Sequence, residues 1–266
     1  MNKKIILGLV AVAVVVLVGF GLSIGKDKVE ASTSSLEVIK GNGVIRIGTE
    51  GTYAPFTFYN AQNELTGFDV ELAREVAKRI GVKAEFVETK WDGMFAGLDS
   101  KRFDLVANQV TIRPDRIEKY DFSSPYIKTR AVLVVHEDNE SIKAFEDLEG
   151  KKSGQSLTSN LAELATSYGA EIVQIDGFNQ AIDLLLSKRI DATINDRLSY
   201  LDFKLERPEA AIKVVAEQAT SNEAAFLFNK GNEELVEAVN KAMEDMMADG
   251  TYLEISERWF GDDVSK

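Results

Sequence analysis

Ser100-Lys101-Arg102-Phe103-Asp104-Leu105 and Ser187-Lys188-Arg189-Ile190-Asp191-Ala192 read almost as copies. Each follows an apolar run at helical spacing and leads into a short apolar run, the pattern of a helix feeding a strand. Asn108 lies beyond the first copy, Asn195-Asp196 beyond the second. A chain that makes the same move twice builds two similar α/β lobes with a cleft between them. In open α/β sheets ligands gather beyond the carboxyl ends of strands, where loops converge and helix amides point at the ligand. The polar residues past each copied strand are therefore the first site candidates: Asn108, Gln109, Thr111 and Arg116 in one lobe, Asn195 and Asp196 in the other.

Outward from these copies the chain alternates between strand and helix patterns. Val44 to Gly48 reads as a strand, and Glu50 to Phe56 as a loop restricted by Pro55. Asp69 is placed to cap a helix whose apolar residues Val70, Ala73, Val76, Ala77 and Ile80 recur at helical spacing up to Gly81. Strands at Lys83 to Val87 and Asp104 to Ala107 flank a helix containing Met94 to Leu98. This is βαβ patterning and a mainly parallel sheet. The second half repeats it: a strand at Ala131 to Val135, a helix capped by Thr158, a strand at Ile172 to Ile175, a helix from Phe178 through Leu185 and a strand at Asp191 to Ile194. Ala225 to Phe228 is one more strand, and Leu235, Val239, Ala242 and Met246 mark a last long helix. Lobe 1 is expected over residues 43–130 and 225–266, and lobe 2 over residues 131–224. Linker segments near Thr129 to Leu133 and Ser221 to Phe226 form a hinge on which the lobes can close.

The first 31 residues read as an export element. Lys3 and Lys4 precede an uncharged stretch from Ile5 to Gly25, and Val29-Glu30-Ala31 is a tolerable cleavage site before Ser32. Cleaved, it is a signal peptide; retained, residues 5–25 span a bilayer as an anchor. Both readings put the remainder outside the cytoplasm, in a periplasm or at the cell surface. With no cysteine, lipidation on Cys is excluded. Residues 32–42, rich in Ser, read as a flexible linker.

Composition narrows the classes. At 266 residues, 45% apolar and 28% charged, the chain is long enough for two domains. A net charge of −12 disfavours nucleic acid and anionic lipid as partners. Without cysteine there is no disulfide and no thiolate, and with His136 as the single histidine no ordinary zinc or copper site is available. No cofactor or metal is expected.

Three motifs then carry a family resemblance: Gly67-Phe68-Asp69-Val70-Glu71-Leu72-Ala73, Asp121-Phe122-Ser123-Ser124-Pro125-Tyr126, and the terminal segment ending Arg258-Trp259-Phe260-Gly261. In this order and spacing the stretch from Val44 to Gly261 resembles the family 3 extracellular solute-binding proteins, the polar amino-acid receptors of ABC importers. Lys151 to Asn160 looks most like the cystine-binding members. The resemblance implies the two-lobed type 2 periplasmic-binding-protein fold, with two hinge strands and a cleft between the lobes. It also implies a monomer that captures a zwitterionic amino acid, most closely L-cystine, and delivers it to the membrane permease of an ABC importer.

A free amino acid carries a carboxylate and an ammonium, and removing both from water is costly unless each is paired. The resemblance puts the carboxylate-binding arginine at Arg116, whose planar fork donates two parallel bonds. Thr111 matches a donor to the same carboxylate, and the Gln109 carbonyl an acceptor from the ammonium. Asp196 falls where the family places the ammonium's acid. Tyr53 and Trp91 occupy the positions that sandwich the ligand side chain, and Glu50 that of a second pocket acid. Asn160 matches a residue whose backbone amide donates to the carboxylate, and Ser156 stands where some relatives carry Lys. Arg113 departs from the more usual Thr or Ser. Taken alone, Arg116 beside Asp115 and Glu118 fits a surface ion pair, Asp196 a loop acid, Trp91 a core residue, and Asn160 a helix-start residue. Phe122, Trp259 and Phe260 read as core.

The rival classes are other ligands (glutamine, histidine, arginine), a dehydratase-type enzyme and a membrane-tethered sensor. Catalysis needs an acid or base poised near neutral pH. Glu50 and Asp196 are the candidates, and no nucleophile with a partnered base is visible, so the chain is read as a binder and not as an enzyme.

Overall fold

The computed structural model describes residues 34–266; the export element and Ser32–Thr33 lie outside the described residues. The described residues open with a helix, α1 (Ser35–Asn42), where the sequence reading expected a flexible linker. Ser34 and Glu37 form a reciprocal capping box, Gly43 closes the helix in the left-handed conformation, and Ile39 is buried with Leu36 packed beside it. The Ser-rich composition suggested a tether, but Leu36 and Ile39 anchor the segment to the core.

The strands follow as β1 (Val44–Thr49), β2 (Thr52–Tyr53), β3 (Thr57–Tyr59), β4 (Leu65–Thr66), β5 (Lys83–Glu88), β6 (Leu105–Thr111), β7 (Tyr120–Phe122), β8 (Ile127–Thr129), β9 (Ala131–His136), β10 (Lys152–Gln155), β11 (Glu171–Gln174), β12 (Ala192–Asp196), β13 (Ile212–Glu217) and β14 (Asn222–Asn229). The helices after α1 are α2 (Phe68–Ile80), α3 (Trp91–Asp99), α4 (Pro114–Ile117), α5 (Asn160–Ser167), α6 (Phe178–Leu186), α7 (Arg197–Glu206), α8 (Glu233–Asp249) and α9 (Thr251–Phe260). One sheet runs β5-β1-β6-β14-β7, with β8 also on β14; the other runs β11-β10-β12-β9-β13. In each, three parallel strands are flanked by an antiparallel one that is the first strand after a hinge crossing: β14 in the first sheet, β9 in the second. The segment Glu50 to Phe56, read as a loop, contains β2, which joins β3 and β4 in a small third sheet.

The twin segments explain how each parallel sheet is joined. Ser100 and Ser187 end α3 and α6, and Lys101 and Lys188 then both adopt φ 58°, turning the chain back. Asp104 follows: its carboxylate accepts from the Arg46 backbone N–H at 2.8 Å, as Asp191 accepts from that of Lys152 at 2.8 Å. Each Asp clasps the start of the third parallel strand to the first. Phe103 and Ile190 press inward at matching places: a Cβ on Gly48 would stand 2.6 Å from the Phe103 ring, and one on Gly154 2.8 Å from Ile190. Glycine on the first strand of each lobe is what lets the side chain of the copied segment fill the core.

The hinge is two crossings. The chain passes from β8 to β9 at Arg130 and returns between Glu217 and Asn222. Asn222 pairs with Thr129 and Ala224 with Ile127, so Asn222 to Ala224, read as the end of the second lobe, belong to the first sheet. Leu235, Val239, Ala242 and Met246 are buried on α8 against the first sheet's core. Phe122, Trp259 and Phe260 pack as partly buried core residues.

Candidate functional site

The carboxyl ends of β1, β6, β10 and β12 converge on a cleft of about 830 Å³, mouth included, walled by both lobes. Glu50, Tyr53, Trp91, Gln109, Thr111, Ser156, Asn160 and Asp196 all line it, eight of the nine residues expected in the site.

The ninth differs. Arg116, expected in the wall, stands one layer behind it on the short helix α4 and is 6% exposed. Its guanidinium lies 5.5 Å from the Trp91 ring centre and 5.2 Å from that of Phe95, and Nη1 donates to the Thr111 carbonyl at 3.0 Å. Cation–π attraction and that carbonyl hold it back. The surface ion-pair alternative is also set aside, because no carboxylate lies within ion-pair distance of Arg116 among the described residues; Asp115 is taken by Arg113 at 2.9 Å. Burial and the neighbouring Arg113 lower the Arg116 pKa to about 10, leaving it charged and short of an anion.

Asp196 lines the cleft from the second lobe, at the end of β12. Its Oδ1 accepts from Thr129 Oγ1 at 3.0 Å and from the Leu198 N–H at 2.8 Å, so it also caps α7. Burial pushes its pKa up to about 7, and no Lys or Arg pairs with it among the described residues. Glu50, the first residue after β1, is held by the Trp91 N–H at 3.2 Å and by Asn108 Nδ2 at 2.6 Å; burial raises its pKa despite those bonds. Tyr53 donates to Asn195 Oδ1 across the cleft at 3.0 Å.

The second lobe presents the start of α5. Ser159, not Thr158, is the N-cap, accepting from the Ala162 N–H at 3.0 Å, and Asn160 opens the helix. Thr158 instead reaches across the mouth, donating its N–H at 3.0 Å and its hydroxyl at 2.9 Å to Asp92 Oδ1. Lys90 meets Asp176 at 2.7 Å nearby, and Arg113 pairs with Glu163 on α5. Both pairs join one lobe to the other. Sequence reasoning missed the wall residues Gln155, Thr129 and Phe178. Gln155 ends β10 just as Thr49 ends β1, so the repeat itself held that signal; Phe178 looked like an ordinary helix start. Among the described residues no group of three His, Asp or Glu side chains converges as a metal site.

A hinged two-lobed clamp whose cleft is lined by acids, amides and aromatics, with a buried guanidinium behind one wall, has the build of a binding protein for small polar solutes. Residues 45–262 match the bacterial extracellular solute-binding proteins, family 3, and the chain belongs to that family. The L-cystine-binding protein TcyA of Bacillus subtilis is 49% identical over 229 residues, 86% of this chain and 85% of that protein. Among solved structures, an ancestral arginine-binding protein bound to arginine superposes with a TM-score of 0.78 at 39% identity, covering 82% of this chain and 98% of that one. The L-cystine solute receptor of Neisseria gonorrhoeae in its unliganded open conformation is 45% identical, covers 88% of this chain and 100% of that one, yet reaches a TM-score of 0.58. That receptor is in its open conformation, whereas here the lobes meet across the mouth through Thr158–Asp92, Lys90–Asp176 and Arg113–Glu163.

Proposed function

We propose that this protein is the extracellular receptor of an amino-acid ABC importer, closing on L-cystine and presenting it, unchanged, to the permease. The observation that carries the reading is the pair of unmatched charges, Arg116 behind one jaw and Asp196 in the other. A ligand whose ammonium meets Asp196 and whose carboxylate draws the Arg116 guanidinium forward from behind the wall engages both lobes, so binding favours closure. Thr111 and Asn160 donate to the carboxylate, the Gln109 carbonyl accepts from the ammonium, Tyr53 and Trp91 flank the side chain, and Ser156 lies beside it. Glu50 gives the cleft a second acid, which suits a ligand with a second ammonium, as cystine has. The same excess of acid also suits arginine, the ligand of the superposed ancestral protein. The protein acts as a monomer outside the cytoplasm, released or tethered by residues 5–25.

Titration calorimetry against cystine, cysteine, glutamine, histidine and arginine tests this. Arg116→Ala and Asp196→Ala are each expected to weaken binding by at least ~100-fold, since each leaves a desolvated ligand charge unpaired. Unaltered binding in both variants defeats the clamp; tight arginine or glutamine binding with none for cystine moves the ligand assignment. Ligand consumption with appearance of product makes the protein an enzyme instead.

A further inference from the structure

Gly67–Ala73 and Asp121–Tyr126, two of the motifs that identify the family, contribute nothing to the cleft wall. Their buried polar groups meet behind it. Asp69 and Tyr126 have no exposed surface. Asp69 Oδ2 accepts from the Gln109 backbone N–H at 2.7 Å and from the Tyr126 hydroxyl at 2.9 Å, while Oδ1 accepts from Gln109 Nε2 at 2.8 Å. Asp69 was expected to cap α2, but Gly67 holds that position and Asp69 lies within the helix, turned to β6. Three neutral donors satisfy a carboxylate that has no cationic partner among the described residues.

The shared partner is unusual. Gln109 stands at φ 52°, in the left-handed region that strains any residue with a Cβ. The ladder locates the consequence: from Ala225 to Leu227 β14 advances two residues, while its partners on β6 run four, from Val110 to Val106. Ala107, Asn108 and Gln109 stand opposite Phe226 alone, so two residues are surplus, a bulge of the kind that re-aims side chains beside a site. Asn108, Gln109 and Thr111 all face the cleft, and the Thr111 carbonyl holds Arg116.

We propose that Asp69 and Tyr126 form a buried peg that holds Gln109 left-handed, making Asp69 a positioning residue for ligand capture along β6. The inference rests on reading the cleft as an amino-acid site. A charged acceptor makes a stronger bond to a backbone N–H than a neutral one, which is what a strained residue needs. Without the peg Gln109 relaxes toward extended backbone, and the surplus redistributes along β6. Because side chains alternate, a one-residue slip turns Asn108 and Thr111 away from the cleft. A carboxylate that served only core stability has no energetic link to the backbone freedom of residue 109.

That link is measurable in the whole chain with L-cystine and L-arginine as probes. Asp69→Ala is expected to weaken binding by at least ~30-fold in the natural background, but by less than ~3-fold once Gln109→Gly lets residue 109 hold positive φ unaided. Asp69→Asn is expected to lose less than ~5-fold, because its amide oxygen still accepts from the Gln109 N–H. In the ligand-free protein the Gln109 amide is expected to exchange at least ~10-fold faster in Asp69→Ala than in the parent. Equal losses in both backgrounds, or unchanged binding and exchange, overturn the peg. If Asp69→Ala does not fold, Tyr126→Phe enters the same cycle, with a several-fold loss expected only where residue 109 is Gln. A parent protein that binds neither probe refutes the ligand reading alone, and the exchange measurement still decides on the peg.

Discussion

Asp196 carries the sharpest residue-scale consequence, because its burial sets how binding responds to pH. Burial holds its pKa at about 7, above the ordinary carboxylate value, and a bound ammonium draws it back down. Below pH 7 capture must therefore expel a proton. The association constant is expected to fall by up to about tenfold per unit between pH 7 and pH 5, and to level off above pH 8. Glu50, also raised by burial, acts in the same direction. Calorimetry in two buffers of different ionisation enthalpy reads the released proton directly; a pH-independent constant across this range contradicts the assigned partner. Arg116 contributes no slope here, since at about 10 it stays charged throughout.

Among the elements, the turn that ends α3 and α6 is used twice and strained twice. Lys101 and Lys188 sit at φ 58°, where glycine is the natural occupant. Lys101→Gly and Lys188→Gly are each expected to add about 0.5–1 kcal/mol of stability, or ~2 °C in Tm, and to add independently in the double variant. A drop in Tm in either contradicts the strain. The twin segments, the alternation of strand and helix and the apolar face of α8 were legible because repetition and period are written in the chain itself. Eight cleft residues were legible through family motifs. What escaped depended on partners distant in sequence. Nothing local to Asp69 distinguishes a helix cap from an acceptor for Gln109, forty residues on. Nothing beside Arg116 says that Trp91 and Phe95 will sheathe it, and Leu36 and Ile39 looked too sparse to anchor a helix until a core was there to receive them.

For the whole molecule, closure rests on the ligand more than on the mouth. Lys90–Asp176 is exposed on both sides, and Arg113–Glu163 is open on the Glu163 side, so each is worth about 0–1 kcal/mol and is screened by salt. Lys90→Ala and Arg113→Ala are each expected to weaken binding by less than ~5-fold, with the difference from the parent vanishing near 1 M salt. Loss of all binding in either variant shifts the energetic weight from the jaws to the rim. Small-angle scattering is expected to show a smaller radius of gyration on adding ligand, because without it the closed form leaves Arg116 and Asp196 buried and unpaired.

The antiparallel strand that the first sheet receives only after the second lobe also orders the assembly of the protein in time. β14 completes the first sheet only after the chain has travelled through the whole second lobe, whereas β9 and every other strand of the second sheet lie within one continuous stretch from Ala131 to Glu217. A chain emerging from its amino end thus presents β1, β5 and β6 before the strand that must lie beside β6 exists. The second lobe is built from one continuous stretch and is expected to gain structure first, the amino-terminal half waiting for its carboxyl-terminal neighbour. Pulse-labelled hydrogen exchange during refolding is expected to protect β10 and β12 before β6, and the reverse order would place the folding nucleus in the interrupted lobe.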